Sequence, residues 1–345
     1  MCKEDFMKIL TISIAAYNVG KYLSKTLDML ADKRLAKYIE VLIIDDGSKD
    51  DTGKISKVYA EKFPNVFKYV GKENGGHGST INKGMELASG KYFRVLDGDD
   101  SLDVENLLIL LKRMEEFNDD MFVSDFRAIT SEGERYIDPY VVRKGKNIFE
   151  SLEDNAVYTL DDNLKYMELI GLSTLAIKTE LLHKYAFAIT EHCYYVDVEF
   201  VVWCMALARE YRYFSKPVYL YLKDRNTENS VSKANMIKNI QMQEKVSYRL
   251  LAIYNELNER GRLKNKRNII SKRIISVLSA TMRTYLLMKD SRNKIMSFEN
   301  KIQLQSNEIY NDMYKDKFNY LLRMRKYAFV SFIAFFYHCY VKYKY

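Results

Sequence analysis

The feature that most limits what this chain can fold into is a rhythm repeated through its first hundred residues. A short apolar run stops at polar residues and, each time, a helical pattern follows. Residues 8–16 (KILTISIAA) are β-branched at alternate positions and apolar enough for burial on both faces. They stop at Tyr17-Asn18, after which Tyr22, Leu23, Leu27 and Leu30 fall at helical spacing. Residues 40–44 (EVLII) stop at Asp45-Asp46-Gly47-Ser48, and a helix is expected over 51–63. Residues 66–70 precede a Gly-rich turn, Asn74-Gly75-Gly76-His77-Gly78, and a helix to Ala88. The fourth run, 92–96, ends at Asp97-Gly98-Asp99-Asp100-Ser101. This alternation predicts an α/β fold, a mostly parallel sheet with helices on both faces. Ligands of such sheets bind beyond the carboxyl ends of the strands, so the polar stops mark one rim.

Three carboxylates within four residues repel one another unless a cation, a helix start or open water sits among them. Mg²⁺ takes one or two protein carboxylates plus phosphates and waters, at about 2.0–2.1 Å per oxygen. The plainer alternative is a turn in which Asp100 or Ser101 caps a helix over 104–113. Acidic clusters after two strands, with a Gly-rich turn before a helix, converge on one rim and favour the metal. Gly75, Gly76 and Gly78 free the backbone for close approach, and the N–H groups opening the next helix suit a phosphate or sugar hydroxyl.

Four blocks in order, Ile12 through Asn18 (ISIAAYN), Val41 through Ser48 (VLIIDDGS), Asn74-Gly75-Gly76-His77-Gly78 with Asn82-Lys83-Gly84, and Asp97-Gly98-Asp99-Asp100, together resemble a family 2 glycosyltransferase of the GT-A fold. The resemblance is of the bacterial surface-polysaccharide type. It is strong over residues 7 to about 115, weaker to about 235 and absent beyond. It implies transfer of a sugar from a nucleotide diphosphate to an acceptor hydroxyl, with inversion and with Mn²⁺ or Mg²⁺. Carried over residue by residue, it implies that Ala15 and Tyr17 line the base and ribose pocket. Asp46 would accept a hydrogen bond from the base, for which a uracil N3–H is a suitable donor, so a UDP-sugar is expected. Asp97 and Asp99 match the DxD motif, with Asp99 the direct metal ligand and Asp97 reaching the ribose or a metal-bound water. Gly76, His77 and Asn82 fall in a donor-contacting segment, with a structural role open for Asn82.

An acceptor hydroxyl needs a base. The resembling family opens a helix with a Glu-Asp pair whose Asp is that base; here Val196-Asp197 supplies the Asp without the preceding acid. Asp197 is therefore the expected base, with Glu199, Glu191 and His192 as rivals. Its plain reading is a helix N-terminal charge worth about 0.3–1 kcal/mol. Residues 219–225 with Ser230-Val231-Ser232 are similar to the family's tyrosine-rich closing strand, which makes Arg225, or Lys223, a candidate to close over the diphosphate. A sugar-nucleotide nucleotidyltransferase is disfavoured, because residues 17–21 lack the Gly-rich, basic pyrophosphate loop. A catalytically inactive homologue that binds membrane or partner is the other alternative, favoured only by Val196.

Pattern and charge both change near residue 235. Residues 236–345 hold 22 Lys and Arg against 8 Asp and Glu, about +14, and the remainder about −6, beneath a chain total of +8. Ile237, Ile240, Val246, Leu250, Leu251 and Ile253, then Ile269, Ile274, Ile275, Val277, Leu278 and Met282, follow helical spacing. The expected division is a catalytic domain over 1–235 and a basic helical region over 236–345. Residues 327–341 (YAFVSFIAFFYHCYV) are shorter than the roughly 20 residues of a membrane span. Aromatic bulk between Arg323, Arg325, Lys326 and Lys342, Lys344 fits an anchor on an anionic leaflet, against a packed helix or a self-association surface. No nucleic-acid motif accompanies the basic excess. Four cysteines without CxxC spacing and an acidic N-terminus suggest a reduced, cytoplasmic protein, peripheral on the inner membrane face.

Overall fold

The computed structural model describes residues 8–130, 132–137, 142–143, 146–164, 167–223, 232–324, 327–330, 332–334 and 336–337. The chain divides into two compact units, residues 1–226 and 227–345.

In the first unit the expected rhythm forms close to its expected bounds: β1 (Leu10–Ala16), α1 (Gly20–Leu30), β2 (Ile39–Asp45), α2 (Thr52–Lys62), β3 (Phe67–Gly71), α3 (His77–Leu87) and β4 (Tyr92–Asp97). Then come β5 (Ser101–Leu102), α4 (Val104–Glu116), β6 (Met121–Ile129), β7 (Arg135–Tyr136), β8 (Val142–Arg143), β9 (Lys146–Asn147), β10 (Val157–Thr159) and β11 (Leu175–Lys178). The unit's last regular elements are α5 (Thr179–Tyr185), α6 (Asp197–Leu207) and β12 (Glu210–Leu222).

The sheet runs β10-β12-β6-β11-β4-β1-β2-β3, with β5 on β12 and β7 on β6. β3, β2, β1 and β4 are mutually parallel, as continuous apolar runs separated by helices require. β11, however, lies antiparallel between β4 and β6, while β12 returns parallel to β6. Residues 171–182 read from the sequence as a strand and a helix start, and they form β11 and the opening of α5. β2 is buried along its whole length, and Leu10, Ile12 and Ile14 of β1 are fully buried. Against this face α1 lays Leu23, Leu27 and Leu30, and α4 lays Leu107, Leu110, Leu111 and Met114. Each such fully buried side chain contributes about 1.5–3 kcal/mol of transfer energy. Beyond Glu199 α6 is apolar all round, and it is buried from Val198 to Leu207, which holds its first residue at the surface.

The cap of α4 corrects the sequence reading. Asp103, neither Asp100 nor Ser101, accepts from the Asn106 N–H at 3.0 Å. Ser101 and Leu102 are instead drawn into the sheet as β5, opposite Leu220 and Tyr219.

The second unit is helical: α7 (Lys233–Lys238), α8 (Ile240–Glu259), α9 (Arg267–Leu286), α10 (Ser291–Gln305), α11 (Asn307–Asp312) and α12 (Lys317–Arg323). The expected stripes are its core, with Val246, Leu250, Leu251 and Ile253 packed in α8 and Ile269, Ile274, Ile275, Leu278 and Met282 in α9. Ile237, Ile240 and Val277 are only half-buried. Arg323 donates through Nε to Glu299 at 2.7 Å, and the Tyr327 hydroxyl donates to the same carboxylate. Beyond that packed point Val330 is buried, whereas Phe332 and Phe336 are 62% and 55% exposed. No helix among the described residues is long and apolar enough to cross a membrane.

Candidate active site

Strand register aligns the polar stops. Ala15 pairs with Ile44 on one side and Asp97 on the other, and Ala16 pairs with Asp45. The Gly98 N–H donates to the Ala15 carbonyl at 3.0 Å and the Asp46 N–H to the Ala16 carbonyl at 2.9 Å. Ala15, Asp46 and the acidic turn thus share one rim, with Tyr17 48% exposed beside them. Asn18 ties the first stop to the second: its N–H donates to Ser48 Oγ at 3.0 Å, and its Oδ1 accepts from the Lys49 N–H at 2.9 Å.

Asp46 does something other than expected. Its carboxylate is 2% exposed and three donors converge on it, Lys72 Nζ at 2.7 Å and the Gly75 and Gly76 N–H groups at 2.9 and 2.8 Å, with Ser79 Oγ, which donates to the Gly76 carbonyl at 2.7 Å, 3.1 Å away. In place of a carboxylate open to a base, Asp46 is the anchor of the Gly-rich turn. The reason is proximity, because the turn that follows β3 passes directly over the end of β2. Gly76 takes φ +80°, where a side chain is strained, and is the N-cap of α3.

The same turn docks the segment that leads to α6. A Cβ on Gly78 would lie 2.0 Å from the Thr190 carbonyl, so only glycine permits the approach. The His192 N–H donates to the Gly75 carbonyl at 2.5 Å. Asn82, expected at the donor, clamps this segment: its Oδ1 accepts from the Ile189 N–H at 2.8 Å, and its Nδ2 donates to the Ile189 carbonyl and to Glu191 Oε1 at 2.9 and 3.0 Å. These are the contacts of the structural alternative.

His77, the first residue of α3, lies with Nε2 3.3 Å from Asp97 Oδ1. Burial disfavours its charged form, yet Asp97, helped by Asp197 and Asp46, outweighs that and raises its pKa above the ordinary value. Asp197 is exposed at the start of α6 and near enough to act on His77. Of its rivals, Glu199 is fully buried and accepts from the Thr190 N–H at 2.9 Å, out of reach of an acceptor. Glu191 and His192 are exposed on the docked segment. Arg225 lies outside the described residues, as do Ser230 and Val231; Lys223 is exposed, its N–H donating to the Ile129 carbonyl at 3.0 Å.

The three carboxylates of the acidic turn separate by environment. Asp97 and Asp99 are part-exposed, whereas Asp100 is 1% exposed. Burial, reinforced by the charges of Asp97 and Asp99, raises Asp100 well above the carboxylate range, against the Tyr219 hydroxyl and Leu222 N–H that stabilise its anion. That crowding favours a cation. Among the described residues no three acidic, His or Cys side chains stand together as a metal cage. A Mg²⁺-type ion needs only one or two carboxylates, the hard oxygens that Asp97 and Asp99 offer. The Asp100–Tyr219 contact joins residues far apart in sequence, and no local pattern announces it. Lys72 carries no signal in the sequence, because a lone Lys in a turn reads as a solvated charge.

Residues 11–167 match the family model described as Glycosyl transferase family 2. A glycosyltransferase of Mycoplasma pneumoniae, the MG025 homolog, is 36% identical over 146 residues, 41% of this chain and 47% of that protein. GgaB of Bacillus subtilis, a minor teichoic acid biosynthesis protein, is 28% identical over 134 residues, 39% of this chain and 15% of its own length. The chain thus spans less than half the length of these relatives. Among solved structures, S. aureus TarS 1-349 in complex with UDP superposes with a TM-score of 0.66 at 17% identity, covering 98% of this chain and 92% of that chain. The fold is GT-A.

Proposed function

Since this chain carries a family 2 glycosyltransferase domain, we propose that it transfers a sugar, with inversion, from a UDP-sugar to a hydroxyl of a glycan or lipid-linked acceptor. The setting we assign is synthesis of a surface polysaccharide, with residues 1–235 catalytic. One observation supports this best: Ala15, the Gly-rich turn with His77, and the acidic turn belong to separate segments yet meet beyond the carboxyl ends of the sheet, and the segment leading to Asp197 docks on that same turn.

Ala15 and Tyr17 face the base and ribose, and Asp46 shapes that wall by holding the Gly-rich turn. Gly76 and His77 face the sugar diphosphate, with Arg225 assigned to the same group. Asp97 and Asp99 would hold Mn²⁺ or Mg²⁺, which when bound offsets the charge that builds on departing UDP. Asp197 accepts the proton of the acceptor hydroxyl, whose oxygen bonds to the anomeric carbon on the face opposite the diphosphate. The bond from that carbon to the diphosphate oxygen breaks, and its electron pair leaves with UDP.

A panel of UDP-sugars with Mn²⁺ or Mg²⁺ tests the reading: UDP release is expected for one donor and should rise when acceptor extract is added. Absence of UDP binding would remove both the transferase and the inactive homologue. Binding without turnover for every donor and acceptor would favour the inactive homologue, the reading that Val196 motivates.

We also assign the basic helical region to the surface of an anionic membrane, on the strength of exposed Phe332 and Phe336 in a unit rich in Lys and Arg. Replacing both by Ser should lower flotation with vesicles containing anionic lipid about tenfold or more, since each buried CH₂ is worth about 0.8 kcal/mol. Equal flotation of variant and parent would reject the anchor in favour of a packed or self-associating surface.

A further inference from the structure

Behind the acidic turn lies a buried polar arrangement that the transfer reaction does not itself call for. Asp100 Oδ2 accepts from the Tyr219 hydroxyl at 2.6 Å and Oδ1 from the Leu222 N–H at 2.8 Å. The Asp100 carbonyl accepts from Thr26 Oγ1 at 2.7 Å. Asp100, Tyr219 and Thr26 are 1, 1 and 2% exposed. The Tyr219 ring in turn lies 5.9 Å from the guanidinium of Arg94, a residue of β4 with no exposed surface. Arg94 donates through Nη2 to Ser124 Oγ at 3.2 Å and to the Ser173 carbonyl, and among the described residues it forms no ion pair. Burial lowers its pKa to about 10.

A phenol has one proton to donate. In Tyr219 the short contact assigns it to Asp100, while Asp97 Oδ2 stands 3.4 Å from the same oxygen. The hydroxyl thus separates two carboxylates without drawing strongly on Asp97. β12 ends at Leu222, so the Asp100 contacts fasten that strand end to the acidic turn.

We infer that Tyr219 and Asp100 are positioning residues, a latch that joins the end of β12 to the acidic turn and fixes where Asp97 and Asp99 face a diphosphate-bound divalent cation. The inference rests on the donor-site reading above and goes beyond it by assigning the third carboxylate and a strand distant in sequence to the metal corner.

Titration calorimetry with UDP, with and without Mn²⁺, on the full chain tests it. Tyr219→Phe keeps the ring beside Arg94 and removes only the hydroxyl. It is expected to weaken Mn²⁺-dependent UDP binding about tenfold and leave metal-free UDP affinity unchanged. A merely structural role would lower both together, and that result overturns the latch. Thr26→Val, which is nearly isosteric, loosens the Asp100 carbonyl without touching a carboxylate and is expected to weaken the same Mn²⁺-dependent binding about threefold. It decides the matter alone if Tyr219→Phe does not fold. A parent chain whose UDP binding is strengthened by Mn²⁺, with both variants matching it, overturns the latch and leaves the donor site standing. A parent chain that binds UDP no better with Mn²⁺ overturns the metal corner itself, and the latch with it.

Discussion

Replacing Asp197 with Asn is expected to lower turnover by about 10²–10⁴-fold while UDP affinity stays at the parent value, a barrier increase of roughly 2.7–5.5 kcal/mol. The argument begins with α6, whose residues from Val198 to Leu207 are buried and cannot shift without opening the core. Its first residue is thereby held at the rim, exposed, on the side where His77 and Asp97 stand. Three contacts fix the approach to it: Asn82 on Ile189, the His192 N–H on the Gly75 carbonyl, and the Thr190 N–H on Glu199. Asn keeps the size and the helix start and removes only the basicity. Steady-state rates beside calorimetric UDP affinity read the two effects apart. Unchanged turnover would move the role to Glu191 or His192, since Glu199 is enclosed.

Asp46→Ala is expected to destabilise the catalytic unit by about 3–5 kcal/mol, since it removes a buried carboxylate on which two backbone N–H groups and a part-exposed ammonium converge, at about 1.5–3 kcal/mol for each hydrogen bond to a charged group. It removes the carboxylate facing Lys72 Nζ, which keeps the Glu73 carbonyl and Ser79 Oγ, and leaves the Gly75 and Gly76 N–H groups without the two oxygens that accept from them. At about 2–4 °C per kcal/mol for a unit of this size, the thermal midpoint should fall on the order of 10 °C. The Gly-rich turn should lose protection from hydrogen exchange in the same variant, because its fold depends on those two bonds. A midpoint near the parent value, combined with lost UDP affinity, would return Asp46 to the nucleobase.

Legibility in the sequence followed the range of the interactions involved. β1 to β4 and the helices between them were readable, because burial on both faces writes a continuous apolar run and an amphipathic helix writes a 3.6-residue period. The polar stops were readable as one rim, since parallel strands connected by helices place their carboxyl ends on the same side. The direction of β11 was not, because a four-residue strand carries no signal of its own orientation, which is set by β4 and β6 on either side. The Asp100 cap failed for a related reason: the residues after it pair with β12, and the helix start moves on to Asp103.

What the sequence by itself determined is therefore the alternating architecture, the four blocks that resemble a family 2 glycosyltransferase, and the candidate residues at the strand ends. Those properties are carried by neighbours along the chain, within one turn of helix or one pleat of strand. Only the tertiary structure decided what Asp46 and Asp100 touch. Asp46 meets the Gly-rich turn because Lys72 and two backbone N–H groups are folded onto it, and Asp100 meets β12 because Tyr219 and Leu222 of that strand reach it. A carboxylate's role is set by the donors that reach it and the water that does not, and both depend on packing between distant segments.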